Sequence, residues 1–311
     1  MIPNIVVVGS SNTDMVILAE HLPAAGETIL GGHFFMNPGG KGANQAVAAA
    51  RLGGNIIFIA KTGNDIFGKR SVQLFKDEGI NTTYLLTDSE NPSGVALITV
   101  DKNAENCIVV APGANAALNK NDITPAKEVI EHSGIVLMQL EIPLETVCYI
   151  AEIASAKGVQ VVLNPAPACD LPDGLLKKIS IITPNKKEAE MLSGMEVRNM
   201  ESAQLAAQKI KERGVKTVII TLGNMGALIL HENVFTHIPG FIVKAVDTTA
   251  AGDVFNGALA VALSEGKSIP ESTRFACKAA AISVMKLGAQ SSAPFKIEVD
   301  KFQHTLSNTG T

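Results

Sequence analysis

The chain has 311 residues, of which 46% are hydrophobic, so it is long enough to bury a large apolar core. Its formal net charge of -4 argues against the basic surface typical of nucleic-acid-binding proteins. The cysteines are scattered and form no Cys-x-x-Cys pair, which indicates neither a disulfide framework nor a zinc site, and a small-molecule partner is expected.

The start of the chain predicts a β-strand. The apolar run Ile5–Val8 has the length of a strand, and no basic leader precedes it. No later run approaches the roughly 20 apolar residues that a membrane-spanning helix requires. We therefore expect a cytoplasmic protein.

Two segments, residues 13–38 and 91–110, are rich in β-branched residues and turn signals and show little helical period. They predict antiparallel strands. Because both flank candidate site residues, we expect them to form a small β-sheet that closes over a pocket as a lid. The alternative is that they are edge strands of the main sheet.

The segment Pro38-Gly39-Gly40-Lys41-Gly42-Ala43-Asn44-Gln45-Ala46 precedes a strongly helical stretch, 46–52, that stops at Gly53-Gly54. Adjacent glycines let backbone N–H groups face a ligand, and Lys41 and Asn44 lie three residues apart on one side of a first turn. This arrangement suits a polyol. The alternative for Lys41 is a solvated cation at a helix start. The segment matches neither a Walker A loop nor Gly-x-Gly-x-x-Gly.

From Gly134 onward, short β-type runs alternate with helical patterns. The runs are 135–140, 159–163, 179–183 and 217–222, and the helical patterns are 144–157, 186–192 and 202–213. This alternation predicts an α/β fold whose mostly parallel sheet is flanked by helices on both faces. Ligands of such sheets bind at the carboxyl ends of the strands, where Glu141, Asn164, Asn185 and residues 221–223 fall.

The segment Asp247-Thr248-Thr249-Ala250-Ala251-Gly252-Asp253 leads small residues into an apolar helical pattern. Helix N-termini bind anions through unpaired N–H groups, so Ala250, Ala251 and Gly252 are predicted to form an anion hole for a phosphoryl group. Asp253 is predicted to be the general base for an attacking hydroxyl. The alternative is that Asp253 is only the N-cap of a packed helix.

The segments 38–46 and 247–253, in this order, resemble the two signatures of the ribokinase-like carbohydrate kinases. Further matching segments are 9–14, 138–141, 164–167, 183–185 with Glu188, and 221–223. The resemblance runs from Val6 to about Pro294. It indicates one ribokinase-like domain over residues 1–306, with a flexible tail over residues 307–311.

The resemblance implies ATP-dependent phosphorylation of the 5-hydroxyl of D-ribose, with Asp253 as the base. The implied sugar-binding residues are Asn12, Thr13, Asp14, Gly40, Lys41, Asn44 and Glu141. The alternative for Asp14 is an Asx-turn after the first strand. The implied ATP-binding residues are Asn185, Thr221, Leu222, Gly223, Gly226, Gly252 and Cys277. Relatives often carry His at the position of Cys277, which puts only an adenine contact in doubt.

The family also uses Mg²⁺ with the phosphates and K⁺ as an activating cation. Asn185 and Glu188 lie three apart at a helix start, so both are predicted to face the phosphates, with Glu188 holding Mg²⁺ through water. The alternative for Glu188 is a carboxylate that favours the helix dipole. The implied K⁺ site comprises Asp247, Thr249, Ser283, Lys286, Gly288 and Ser292. A homodimer is implied by the resemblance alone.

Three other functions compete with this interpretation. The nearest is a kinase for another sugar or nucleoside, such as fructose, deoxyribose or adenosine, but the sugar-side residues favour ribose. A non-catalytic sugar-binding protein on the same scaffold is less consistent with the presence of Gly252 and Asp253. A nicotinamide-dependent dehydrogenase would carry a glycine-rich fingerprint that is absent here.

Overall fold

The computed structural model describes residues 4–103 and 105–302. Its strands are β1 (Ile5–Val8), β2 (Asn12–Leu18), β3 (His33–Gly39), β4 (Ile56–Gly63), β5 (Leu85–Asp88), β6 (Gly94–Val100), β7 (Asn106–Ala111), β8 (Ile135–Met138), β9 (Gln160–Leu163), β10 (Ile181–Ile182), β11 (Thr217–Thr221), β12 (Ala227–His231) and β13 (Val234–Ile238). The predicted tail, 307–311, lies outside the described residues.

The helices predicted at 144–157, 186–192 and 202–213 begin and end within two residues of those limits. The described α-helices are α1 (Lys41–Arg51), α2 (Ile66–Asp77), α3 (Lys120–Ile123), α4 (Lys127–Glu131), α5 (Leu144–Ala156), α6 (Asp173–Leu176), α7 (Lys186–Ser193), α8 (Met200–Glu212), α9 (Ala251–Ser264), α10 (Ile269–Ser283) and α11 (Lys296–Lys301). Within the described ranges, no helix is both long enough and apolar enough to span a bilayer.

The main sheet has the strand order β13-β12-β11-β10-β9-β8-β1-β4-β5. Every pair from β11 to β5 is parallel, which confirms the mostly parallel sheet. The exception is an antiparallel edge, where β12 pairs with β11 and β13. The sequence analysis did not identify β12 and β13, although Glu232 and Asn233, with φ of 47° and 64°, form a two-residue turn suited to a hairpin.

Helices cover the sheet on both faces because neighbouring residues of each buried strand point in opposite directions. Val6 and Val8 belong to one apolar cluster, together with residues of α4, α5, α7 and α8. Ile5 and Val7 belong to a second cluster, together with residues of α1, α9 and α10. Because the strands from β11 to β5 are parallel, their carboxyl ends all lie at one edge of the main sheet.

A separate four-stranded sheet, with the order β3-β2-β6-β7, contains the predicted lid strands. The alternative that these are edge strands of the main sheet is wrong. So is the expectation of purely antiparallel pairing, because β2 and β6 pair in parallel, whereas β2–β3 and β6–β7 are antiparallel. The chain leaves β2 through its hairpin to β3 and returns to β6 only after passing through β4 and β5 of the main sheet.

The helix after the first glycine-rich segment begins at Lys41, five residues before the predicted start at Ala46. Gly40 has φ 90°, which lets the chain turn sharply into the helix. A Cβ on Gly42 would lie 2.6 Å from the backbone of Gly9 and Ser10, so only glycine permits this close approach of α1 to β1. The first turn of α1 therefore carries Lys41, Asn44 and Gln45 to the edge of the sheet.

Candidate active site

A cavity of about 190 Å³ lies at the carboxyl edge of the sheet, beside the N-terminus of α9. Its lining residues come from α1, α7, α9 and the segment before α9, from the last residue of β11, and from the segments that follow β9 and β10. They are Lys41, Asn164, Ala166, Thr183, Asn185, Glu188, Thr221, Thr248, Ala250, Ala251, Gly252, Asp253 and Asn256. Residues 248 and 250–253 thus line the cavity together with Lys41.

The N-terminus of α9 has the form of an anion cradle. Among the described residues, no hydrogen-bond acceptor is present for the N–H groups of Gly252 and Asp253. Ala250 adopts φ 58°, a left-handed conformation that costs a non-glycine residue roughly 1–2 kcal/mol. The N–H of Ala251, predicted as a donor, instead points to the Thr248 carbonyl at 3.3 Å.

Asp253 lies at the third residue of α9 and is not its N-cap, since Ala250 occupies that position. Only 6% of its surface is exposed, and its Oδ2 and Oδ1 accept hydrogen bonds from Asn44 Nδ2 at 2.9 Å and Gln45 Nε2 at 3.0 Å. Burial raises the pKa of Asp253 despite these bonds and the charge of Lys41. Asp253 is thus a buried carboxylate on the cavity wall with a strengthened affinity for protons.

Lys41 is the cation of this site. Burial alone would lower its pKa, but the carboxylates of Asp253, Glu141, Glu188 and Asp14 outweigh burial, and the pKa of Lys41 is raised. Lys41 therefore stays protonated among carboxylates that come from four separate parts of the chain.

The predicted sugar-side residues lie next to this cavity. Asn12 Oδ1 accepts a hydrogen bond from Asn115 Nδ2 at 2.8 Å, so the Asn12 amide nitrogen points in a different direction from Asn115. A Cβ on Gly39 would lie 2.3 Å from both carboxylate oxygens of Asp14, so glycine makes room for that carboxylate. Burial, and then the charges of Glu141 and Asp253, raise the pKa of Asp14 to about 6.

Glu141 connects the end of β8 to the start of α1. Its Oε2 accepts hydrogen bonds from Ser10 Oγ at 2.5 Å and from the Lys41 N–H at 3.0 Å. The Ser10 hydroxyl in turn accepts from the Gly42 N–H at 3.3 Å. Glu141 is therefore held at the helix N-terminus, where the helix dipole favours a carboxylate.

Thr13 does not lie with the other predicted sugar-binding residues. Successive side chains of a strand point to opposite faces, so Thr13 points away from Asn12 and Asp14. It lines a different cavity of about 40 Å³, together with Pro38 and Phe67. We therefore leave Thr13 out of the proposed sugar-binding set.

Asn185 and Glu188 line the cavity, but they also bind each other as the capping box of α7. The Asn185 side chain accepts from the Glu188 N–H at 3.0 Å, and Glu188 accepts from the Asn185 N–H at 2.8 Å. Burial raises the pKa of Glu188. Glu188 therefore stabilises the start of α7, as the alternative interpretation expected, and it also lines the cavity.

The other predicted ATP positions differ in their surroundings. Thr221 lines the cavity, whereas Leu222 is buried in one apolar cluster and Cys277 in the other. Burial raises the pKa of the Cys277 thiol to about 12. A Cβ on Gly226 would lie 2.1 Å from the Ile238 carbonyl, while one on Gly223 would meet nothing within 4 Å, so only Gly223 faces open space.

The predicted cation-binding segments lie together. Asp247 accepts hydrogen bonds from the N–H groups of Thr249 and Gly288, each at 2.8 Å. The Lys286 ammonium bonds to Glu298, so only its backbone carbonyl is suited to a cation. The hydroxyl groups of Ser283 and Ser292 donate to the carbonyls of Ala280 and Ala289 and keep oxygen lone pairs. The donor set is made of oxygen atoms, which hard cations prefer.

Several polar residues at this edge were not identified as site residues from the sequence. They are Ser10, Gln45, Asn115, Gln139, Thr183 and Asn256, all buried. Gln45 and Gln139 lie inside the quoted motifs, and a polar residue at the end of an apolar β-type run was the signal available for Ser10, Gln139 and Thr183. Asn115 follows β7 in a 3₁₀ turn and had no such signal.

We expect the reaction with sugar to depend on the protonation of Asp14. A sugar hydroxyl donates to a carboxylate, and protonation turns one of the two acceptor oxygens of Asp14 into a hydroxyl donor and removes its charge, so kcat/KM for the sugar should fall as the pH falls through about 6. Asp14→Asn should raise the sugar KM and remove this part of the profile. Initial rates between about pH 5 and 8 test this; an unchanged sugar KM in Asp14→Asn would contradict it.

Comparisons with known proteins identify the family of the chain. Residues 3–296 match the model of the pfkB family carbohydrate kinases. The chain is 49% identical to the ribokinase of Haemophilus influenzae, over 95% of this chain and 97% of the relative, and 37% identical to the deoxyribokinase of Salmonella typhi, over 98% and 99%. The structure of Arabidopsis thaliana ribokinase complexed with ribose and ATP is similar, with a TM-score of 0.90, 34% identity, and coverage of 97% of this chain and 100% of that one. The chain belongs to the pfkB family of carbohydrate kinases.

Proposed function

We propose that the protein transfers the γ-phosphate of ATP to the 5-hydroxyl of D-ribose, giving D-ribose 5-phosphate and ADP. The observation that carries this proposal is the position of Asp253, between an N–H cradle for a phosphoryl group and a set of polar groups suited to a sugar. The similarity to ribokinases of several organisms supports ribose as the sugar.

Phosphoryl transfer depends mainly on alignment and on neutralising the charge of the moving group. In the proposed mechanism, Asp253 accepts the proton of the attacking hydroxyl as the bond to phosphorus forms. The free N–H groups of Gly252 and Asp253 and the Lys41 ammonium stabilise the negative charge on the phosphoryl oxygens. The raised pKa of Asp253 suits a group that must take up a proton near neutral pH.

Sugar recognition would use acceptors and donors fixed before the ligand arrives. The Oδ1 atom of Asn44 is buried and has no hydrogen-bond partner among the described residues, so it is placed to accept from a hydroxyl. Asp14 and Glu141 offer carboxylate oxygens to neighbouring hydroxyls. An unmatched buried carboxylate is costly, so these residues would discriminate between sugars.

ATP-dependent kinases act with a divalent metal such as Mg²⁺, which neutralises phosphate charge when bound. The cavity wall fits such an ion, because the Glu188 carboxylate retains lone pairs beyond its capping bonds and lies on that wall. We propose that Glu188 holds Mg²⁺ through water and that Asn185, Thr221 and Gly223 border the nucleotide. The oxygen donors around Asp247 and Gly288 support an activating K⁺ site beside the cradle.

Deoxyribose is the second candidate substrate, because of the similarity to a deoxyribokinase. ADP release should be measured with ribose, deoxyribose, fructose and adenosine, in K⁺ and in Na⁺. We expect the highest kcat/KM for ribose and faster turnover in K⁺. A higher kcat/KM for another acceptor would overturn ribose as the substrate, and equal rates in both salts would overturn the K⁺ site.

The small sheet supports a lid that is also a homodimer surface. It exposes large apolar side chains, among them Phe34, Leu97 and Val109, each more than half exposed. Its outer strands β3 and β7 each pair with a strand on one side only within residues 4–103 and 105–302. We propose that a second copy of the chain covers this face and that the protein acts in the cytoplasm. A monomer at micromolar concentration in sedimentation analysis would contradict the dimer.

A further inference from the structure

Asp253 is connected to a chain of buried side-chain amides. Gln45 Nε2 donates to Asp253 Oδ1 at 3.0 Å and to Asn164 Oδ1 at 3.1 Å, while Gln139 Nε2 donates to Gln45 Oε1 at 2.6 Å. Gln45 and Gln139 have no exposed surface. Gln45 is thus in contact with the proposed base, and Gln139 is one residue further away.

The direction of each hydrogen bond follows from Asp253. An ionised carboxylate only accepts, so Gln45 must present its amide nitrogen, which directs its oxygen toward Gln139. Gln139 must then present its own nitrogen. If Gln45 rotated by half a turn, an amide oxygen would face a carboxylate oxygen at hydrogen-bond distance, which is repulsive in a buried site.

The surrounding packing keeps Gln139 in place. Its Oε1 has no hydrogen-bond partner among the described residues, and it stands against Gly9, where a Cβ would lie only 2.0 Å away. A buried amide oxygen without a partner is costly. This cost falls on Gln139, the residue whose amide nitrogen orients Gln45.

We propose that Gln45 is a positioning residue that fixes the orientation of the Asp253 carboxylate for proton transfer, and that Gln139 acts by locking the amide of Gln45. Gln45 and Asn44 each bind one carboxylate oxygen and so fix its plane. Each carboxylate oxygen keeps a further lone pair, and Asp253 lines the cavity where the attacking hydroxyl would lie. This inference rests on the proposed role of Asp253 as the base.

Loss of the Gln45 bond has a definite effect on protonation. A donor stabilises the ionised form, so its removal should raise the pKa of Asp253 further and move the acid limb of the chemical step to higher pH. The other charged groups that face Asp253 are Lys41 on α1, Asp14 on β2, Glu141 after β8 and Glu188 on α7, and all of them remain in the variants.

The test uses Gln45→Met, Gln139→Met and the double variant, with the phosphoryl-transfer rate measured in single turnovers at saturating ribose and ATP from about pH 5 to 8. We expect Gln45→Met to slow transfer by about tenfold at neutral pH and to shift the acid limb upward, with an unchanged KM for ATP. Gln139→Met should shift the acid limb of the pH profile by a smaller amount. The double variant should be no slower than Gln45→Met, because Gln139 acts through Gln45.

Gln160 is the first residue of β9, whereas the cavity residue Asn164 follows the last one. Gln160→Met is therefore the matched control for exchanging glutamine for methionine, and it should retain the wild-type pH profile. Thermal denaturation of every variant separates loss of folded protein from loss of rate. A wild-type pH profile in folded Gln45→Met would overturn the inference, as would additive losses in the double variant. If Asp253→Asn itself kept near-normal transfer, the base assignment would fail instead, so the two failures are distinguishable.

Discussion

Asp253→Asn should lower turnover by about 10² to 10⁴-fold while leaving ATP binding close to that of the wild type. The substitution keeps the size of the side chain but replaces a proton acceptor with an amide that does not take up the hydroxyl proton. The cavity wall formed by Thr221, Asn185 and Gly252 stays in place. Steady-state rates and titration of an ATP analogue measure both quantities.

The control for Asp253→Asn is Asp170→Asn, since the Asp170 side chain is 95% exposed and lies outside the cavity. Its turnover should be unchanged. A single amide oxygen at position 253 satisfies one of the donors Asn44 and Gln45, so thermal denaturation must establish that the variant is folded. Near-normal turnover in folded Asp253→Asn would remove this residue as the base.

Sequence reasoning predicted the parallel part of the sheet, five of the eleven described α-helices (α1, α5, α7, α8 and α9) and the two segments that meet at its carboxyl edge. These features depend on local patterns, namely β-type runs alternating with helical periods, and on the rule that parallel strands end at one edge. Lys41, Asn44 and Asp253 were identified because each lies at a predicted helix start that contains glycine, in the segment 38–46 or 247–253.

The features that sequence reasoning missed depend on long-range contacts. The parallel pairing of β2 with β6 joins segments about 80 residues apart, and nothing in either segment specifies strand direction. Gln45 and Gln139 resemble ordinary polar residues until the fold brings their amides within 2.6 Å. The left-handed conformation of Ala250 is also invisible in the sequence, because a non-glycine residue rarely adopts it.

Gly252→Ala should separate stability from catalysis at the proposed cradle. A Cβ on Gly252 would meet no protein atom within 4 Å, and residue 252 lies in the first turn of α9, where alanine has the higher helix propensity. The thermal midpoint should therefore stay the same or rise. Gly252 lines the cavity, so we expect the added methyl group to reduce the space for the transferring phosphoryl group and kcat/KM for ATP to fall by about 10²-fold or more.

Gly174→Ala is the matched control, because Gly174 is also a helical glycine whose Cβ would meet nothing within 4 Å, but it lies in α6, away from the cavity. Both variants gain the same methyl group, so any difference between them belongs to the position. We expect Gly174→Ala to keep the wild-type kcat/KM. Equal activity of the two variants would mean that phosphoryl transfer does not occur against the N-terminus of α9, whereas loss only in Gly252→Ala, with the fold intact, would support the cradle as the place where the phosphoryl group moves.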